Sequence, residues 1–326
     1  MEGRDGQGCH HTSLTLFPLH IMNIRIISPA GSIKGKVIDL GAETLRQWGH
    51  QASVAAHAKG SYGRFAATPD ERAQDIIDAL EDPEVDVLYA SRGGYGCMQI
   101  LDKLPLELIT RANKPIIGYS DITALHALWQ KAGVPSLHAH MMKHLGEEPT
   151  HVTSRTIREL LDYFSAHHSW PAKHNLLFLK KAKLFVAPYQ GWCNEDPEPE
   201  KTKALLDELF AAPPAMVGGN FAVLSALHGT PFDFDYDGKL LFIEDISESP
   251  YKIDRMLQQL NLMGVFDRIR GLICGQFTGC DEDPTMPVKL WDNFRDIVQS
   301  HGIPLWLGAP IGHVKENFPV AYHISK

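Results

Sequence analysis

Apolar positions in the first half of the chain form short runs separated by stretches of helical period. Residues 23–28 (NIRIIS) read as a strand and 29–32 (PAGS) as a turn. In residues 33–48 apolar side chains recur every three to four positions, predicting a helix ended by Gly49. Thr68-Pro69 is an N-cap and first-turn pair for a helix through Leu80, and residues 85–90 are the next apolar run. The glycine loop Arg92-Gly93-Gly94-Tyr95-Gly96 comes next, then a helix near residues 98–104, a strand at 115–118 and a helix to Lys131. Strand and helix alternate, which predicts a doubly wound parallel sheet with helices on both faces. Ligands of such sheets gather at the carboxyl ends of strands, where the glycine loop and Ser120 both stand.

Between about residues 145 and 200 the pattern loosens. Residues 153–164 read as a helix, 167–174 as a polar loop, 176–187 as one or two strands, and 194–201 (NEDPEPEK) as an acidic, proline-bearing surface segment. The expected organisation is a disordered leader over residues 1–21 with Met22 as a natural start, an N-terminal domain over 22–165, a variable linker over 166–200, and a C-terminal α/β domain over 201–326. In the last of these, strands are expected at 239–243, 269–274 and 305–308, and helices at 250–263 and 288–299. The loop Ala309-Pro310-Ile311-Gly312-His313 follows the last strand.

Composition narrows the function classes. A 326-residue chain that is 44% hydrophobic is long enough for two domains and a substantial core. Its net charge of −8, with no basic run, argues against a nucleic-acid partner. No stretch approaches the roughly 20 apolar residues of a membrane span. Five scattered cysteines, without paired metal-ligand spacing, suit a reducing compartment.

The chemistry centres on residues 114–126, KPIIGYSDITALH: an apolar strand, an abrupt Gly-Tyr-Ser turn, and the start of a helix. A hydroxyl on such a turn is lifted out of the sheet beside free N–H groups, the geometry of a nucleophile elbow. The alternative is an ordinary serine N-cap. The Arg92–Gly96 stretch is either a tight turn or a loop bringing a backbone N–H to a substrate oxygen, with Gly94 and Asp121 as the two donors. Glu244 directly follows a strand, and either serves the site or, with Asp245, caps the next helix. His313 also follows a strand and has a structural alternative. Together, Ser120, Glu244 and His313 supply a hydroxyl, a carboxylate and an imidazole at three strand-end loops. A serine needs a base within reach, and that base needs a carboxylate to hold its tautomer. His138, His140 and His144 invite a metal reading, but no carboxylate or cysteine completes a set, and no metal or cofactor is expected. Cys97 has the glycine loop but not the elbow, and Met141 and Met142 suit core or groove lining.

With these stretches in view, the sequence resembles the LD-carboxypeptidase family of serine peptidases, which includes muramoyltetrapeptide carboxypeptidase and the microcin C self-immunity peptidases. The matching segments are IRIISPAGSI (24–33), RGGYG (92–96), GYSDITALH (118–126), GGN (218–220), LFIEDISESPYKIDRML (241–257) and GAPIGH (308–313). The resemblance implies an N-terminal nucleophile domain, a smaller C-terminal domain carrying Glu and His, and a site between them. It implies Ser120 as nucleophile, Glu244 as orienting carboxylate, His313 as base, and the N–H groups of Gly94 and Asp121 as oxyanion hole. The implied activity is release of D-alanine from murein tetrapeptides during cytoplasmic cell-wall recycling, by a metal-free homodimer. Arg92 is a candidate clamp for the substrate carboxylate, a structural salt bridge being its alternative, and Asn220 a further candidate contact.

Two departures from the family pattern carry expectations of their own. The chain ends at Lys326, thirteen residues after His313, without the family's further closing strands, which would leave a sheet edge unpaired and His313 poorly held. Residues 189–214, with Trp192, would remodel the groove or form an exposed insertion. Two rival functions follow: a related peptidase cleaving a peptidyl-nucleotide antibiotic, with Trp192 as a stacking aromatic, or a non-catalytic muropeptide-binding protein.

Overall fold

The computed structural model describes residues 21–322 apart from 149, 172, 178, 180–181, 186–198 and 281. Residues 1–20 of the expected leader and Trp192 therefore lie outside the described residues. In chain order the elements are β1 (Asn23–Ile27), α1 (Gly35–Gln47), β2 (Gln51–Val54), α2 (Pro69–Glu81), β3 (Val87–Ala90), α3 (Leu106–Ala112), β4 (Ile116–Gly118), α4 (Thr123–Ala132), β5 (Ser136–His138), α5 (Met142–Glu147) and α6 (Val152–His167). There follow β6 (Lys183–Phe185), α7 (Pro199–Ala211), β7 (Met216–Asn220), α8 (Phe221–Leu227), β8 (Leu240–Ile246), α9 (Pro250–Leu262), β9 (Gly271–Thr278), α10 (Leu290–Ser300), β10 (Leu305–Leu307) and β11 (Val320–Tyr322).

Local chemistry accounts for several boundaries. At α2, the Thr68 side chain accepts from the Glu71 amide while the Glu71 carboxylate accepts from the Thr68 amide, a reciprocal cap with Pro69 in the first turn. In α1 the buried Ile38, Ala42 and Leu45 form one stripe, so that face packs on the sheet. The segment after the glycine loop, Cys97–Lys103, is a 3₁₀ helix rather than the expected α-helix.

The first sheet has the order β11-β5-β4-β3-β1-β2 and the second β6-β10-β9-β8-β7. Within each, every pair is parallel except at one edge, where β11 runs against β5 and β6 against β10. Adjacent residues of β3 serve opposite faces, Leu88 in one apolar cluster and Val87 and Tyr89 in the other, as expected of a sheet covered on both sides. Helix α4 is buried nearly all round because it is a wall between the two units. Its Gln130 exchanges two hydrogen bonds with the Asp235 backbone, at 3.0 and 2.9 Å, and one apolar cluster runs from Ile116 and Leu125 into Leu241 and Phe242.

The short C-terminal segment closes the first sheet instead of leaving its edge bare. After His313 the chain returns as β11 to pair with β5. On its outer side the Asn175 side chain donates to Ala321 O at 2.5 Å and accepts from Ala321 N at 2.8 Å. His174 Nε2 bonds Pro319 O at 2.9 Å, and Tyr322 donates to Gly218 O of β7 at 2.6 Å. The expected unpaired edge is absent there: side chains occupy the groups that another strand would take.

Candidate active site

β4 is three buried residues, and the chain turns at once through Tyr119 into a 3₁₀ turn, Ser120–Ile122, that continues as α4. Ser120 has a φ of 64°, in the left-handed region that non-glycine residues adopt only when their surroundings hold them there. The capping positions of the two helical turns are Tyr119 and Ile122, so the Ser120 hydroxyl is not a cap. It faces His313: Oγ lies 3.1 Å from His313 Nε2. His313 Nδ1 in turn lies 2.8 Å from Glu244 Oε2, placing hydroxyl, imidazole and carboxylate in series across the two sheets.

Glu244 lies inside β8, not beyond it, at a register shift between Ile243 and Asp245 against β9. Such an irregularity re-aims a side chain that a regular strand would send elsewhere. It does not cap the next helix, since the N-cap of α9 is Ser249 without a side-chain bond. Asp245 instead accepts from Ala222 N at 2.9 Å, at the start of α8. Glu244 is fully buried, which alone would raise its pKa, but the His138 and His313 imidazoles facing it outweigh burial and hold the carboxyl well below its usual range.

The histidine loop is stapled to β9. Gln276 N donates to Ile311 O at 2.8 Å, Gln276 Nε2 to Ala309 O at 3.0 Å, and Thr278 Oγ1 to His313 O at 3.1 Å. Buried Asn317 accepts from Gly312 N at 2.9 Å, so residues after His313 hold it from the other side. Gly312 itself has a φ of 119°, and a Cβ there would stand 2.8 Å from Glu244 Oε2. Only glycine lets the backbone pass this close to the carboxylate.

The glycine loop packs directly on the elbow. A Cβ on Gly93 would stand 2.9 Å from Ser120 Cβ, 3.1 Å from Oγ and 3.2 Å from Asp121 N. Gly94, the expected donor, is exposed beside it, and Asp121 Oδ2 accepts from Cys97 N at 2.8 Å, tying the loop's end to the elbow. The sequence-based expectation gives no role of their own to Gly93, Gly312, Gln276 and Asn317. A repeated glycine pair in a strand-end loop was the one available hint, for Gly93.

The other candidates divide. Arg92 Nη1 donates to Ser32 O at 2.9 Å and has no carboxylate partner among the described residues, so the salt-bridge alternative is not realised. It lines a cavity of about 680 Å³ with Lys34, Lys59, Lys143 and the carboxylate of Glu147. Asn220 is hydrogen-bonded within the protein. Its Oδ1 caps α8 by accepting from Val223 N at 3.2 Å, its Nδ2 donates to Asp245 at 3.0 Å, and its backbone donates to Thr123 Oγ1 at 3.0 Å, joining the two units under the elbow. Cys97 is buried, and burial followed by the neighbouring Asp121 pushes its thiol far up, against a nucleophilic role. Met141 and Met142 are core.

The histidine trio does not share a face, because β5 ends at His138 and His144 belongs to α5. Among the described residues no three His, Cys, Asp or Glu side chains are grouped as a metal needs. His140 and His144 stack at 4.2 Å and line, with Tyr119, His313 and Lys315, a cavity of about 360 Å³.

Buried histidines make the fold acid-sensitive. Burial pushes His126 and His144 down to about 3 and His140 and His174 to about 4, from an ordinary 6.5. Their stabilising contribution is complete above 6.5 and is lost as pH falls toward the folded values, because the unfolded chain takes up protons first. Asp245, pushed up to about 6 mainly by burial, opposes this in part, as do Asp75, Asp121 and Asp162, whose carboxyls burial also raises. The thermal midpoint is expected to fall on the order of 10 °C between about pH 7 and pH 5. A flat or rising midpoint in calorimetry over that window contradicts this assignment.

Comparison with known proteins agrees with the residue pattern. Residues 24–139 match the LD-carboxypeptidase N-terminal domain and residues 215–325 the LD-carboxypeptidase C-terminal domain. A probable murein peptide carboxypeptidase of Bacillus subtilis (strain 168) is 31% identical over 307 residues, covering 91% of this chain and 85% of that protein. The chain belongs to the LD-carboxypeptidase family. Within the family, the murein tetrapeptide carboxypeptidase of Pseudomonas aeruginosa is 27% identical, covering 90% of this chain and 89% of that protein. The muramoyltetrapeptide carboxypeptidase of Oxalobacter formigenes shares the fold with a TM-score of 0.67 at 23% identity, covering 94% and 96% of the two chains. The microcin C7 self immunity protein MccF does so with a TM-score of 0.70 at 20% identity, covering 93% and 92%. The two-unit α/β architecture with the site between the sheets is thus the family fold. No helix among the described residues is long and apolar enough to cross a membrane.

Proposed function

We propose that the protein is a serine LD-carboxypeptidase that hydrolyses the amide between an L-configured diamino acid and the terminal D-alanine of murein tetrapeptides. The observation that carries this reading is the series Ser120 Oγ, His313 Nε2, His313 Nδ1, Glu244 Oε2, with spacings of 3.1 and 2.8 Å. His313 takes the Ser120 proton as Oγ attacks the carbonyl carbon, while Glu244 keeps Nδ1 protonated and stabilises the imidazolium. The Gly94 and Asp121 amides hold the oxyanion. His313 then gives its proton to the departing D-alanine nitrogen as the C–N bond breaks, leaving an acyl group on Ser120. Water, deprotonated by His313, hydrolyses that ester and restores the hydroxyl. Arg92 meets a substrate carboxylate, a role that its lack of a carboxylate partner supports. Recycling of cell-wall peptides in the cytoplasm by a homodimer is the setting in which this activity is proposed.

The peptide reading is favoured over antibiotic cleavage because a relative at 31% identity is named a probable murein peptide carboxypeptidase. The test offers purified protein L-Ala-γ-D-Glu-meso-diaminopimelate-D-Ala, its L-Ala-terminated epimer, and aspartyl sulfamoyl adenosine, the compound held by one MccF structure. The expected kcat/KM favours the D-alanine peptide over the other two by at least about 100-fold. Preferential cleavage of the sulfamoyl adenosine transfers the protein to the MccF class, and turnover of none supports a binding protein.

A further inference from the structure

A second imidazole stands behind the carboxylate. His138 closes β5, is 0% exposed, and places Nε2 3.9 Å from Glu244 Oε1, the oxygen that His313 does not use. Among the described residues, Glu244 Oε1 and both His138 ring nitrogens lack hydrogen-bond partners. The surroundings offer few substitutes. Phe242 meets the His138 ring edge-on at 5.2 Å and Tyr119 does so at 5.6 Å, His126 is bonded to Gly118 O through Nε2 and leaves its Nδ1 unpartnered with its ring 6.3 Å from that of His138, and the Tyr322 hydroxyl is committed to Gly218 O. A bare carboxylate oxygen and a bare ring nitrogen, both out of water and about 0.7 Å beyond the ordinary hydrogen-bond range, are complementary deficits.

We propose that His138 is a positioning residue for the reaction assigned above: its Nε2–H donates to Glu244 Oε1, so that the carboxylate is held between two imidazoles. Held at one oxygen only, Glu244 can rotate about its last bond and take Oε2 off His313 Nδ1. Held at both, it stays in the plane that keeps Nδ1 protonated and Nε2 free to accept the Ser120 proton. The sequence places His138 two residues from His140, which suggests a metal pair, whereas the end of β5 separates them and gives His138 to the carboxylate.

This role rests on the proposed function, and the experiment separates the two. The low-field proton resonance of His313 Nδ1–H is recorded without substrate in the parent, His138→Leu and His138→Gln, together with kcat and KM for D-alanine release and the thermal midpoint. In His138→Leu the resonance is expected to weaken or shift, with kcat roughly tenfold lower or more and KM within about twofold. His138→Gln, whose amide can donate to Oε1, restores most of both signals. Should His138→Leu not fold, His138→Phe keeps an aromatic ring without the donor and carries the same expectation. A folded Leu or Phe variant with unchanged resonance and kcat overturns the proposal, as does a Gln variant no better than Leu. If the parent itself releases no D-alanine, the functional reading falls, while the resonance still decides the role of His138.

Discussion

Ser120→Gly is expected to stop turnover and, at the same time, to make the protein more stable. Ser120 sits at a φ of 64° between a buried strand and a helix that forms the wall between the two units. A non-glycine residue in that region carries strain of about 1–3 kcal/mol. Glycine removes the strain but adds about 0.5–1 kcal/mol of chain entropy to be lost on folding. The net gain is about 1 kcal/mol, or a few degrees in thermal midpoint for a chain of this size. The same change deletes the hydroxyl that meets His313, and loss of a nucleophile acting within such a unit costs on the order of 10⁴-fold or more in kcat. Calorimetry beside a D-alanine assay reads both effects. A glycine variant that is both inactive and less stable means that the elbow is not strained.

Glu244→Gln is the second large effect. The parent carboxylate accepts from His313 Nδ1 at 2.8 Å, so Nε2 is left unprotonated toward Ser120. A glutamine amide is uncharged, and with its NH₂ turned toward Nδ1 it selects the other tautomer, in which Nε2 carries the proton and cannot take one from the hydroxyl. The expected loss is on the order of 10⁴-fold in kcat with KM little changed. The variant also removes one pH term. Because the folded carboxyl is held below its ordinary value, its stabilisation is present above about pH 4.5 and is lost as pH falls toward its folded pKa. The parent should therefore lose stability in that acidic window more steeply than Glu244→Gln. Near-parental kcat in the variant removes Glu244 from the chemistry.

The elbow and the histidine loop are legible in the sequence because they follow short apolar strands, and strand ends in a parallel sheet converge on one edge. Glu244 is visible for the same reason, although its strand runs on to Ile246 and the register shift that aims it has no sequence signature. Short elements escape notice: β2 alternates weakly and α3 spans only seven residues. Asn175 clamps β11 across 146 residues, a separation that no local pattern encodes, and Asn317 holds Gly312 from five residues away within a loop that has no regular period. The internal hydrogen bonds of Asn220 have no signature in the Gly-Gly-Asn stretch itself. Its partners Thr123 and Asp245 come from distant segments and bury it to 5% exposure. The tail after His313 looks too short to close a sheet edge, yet three residues suffice for the antiparallel edge strand β11.

The most direct test of the central claim is the time course of free D-alanine from L-Ala-γ-D-Glu-meso-diaminopimelate-D-Ala, followed by mass spectrometry for the parent beside Ser120→Ala. Steady release by the parent, with release by the variant at the level of the buffer blank, is the predicted result. Equal release by both, or none from a folded parent, contradicts the assignment of Ser120, His313 and Glu244 to this hydrolysis.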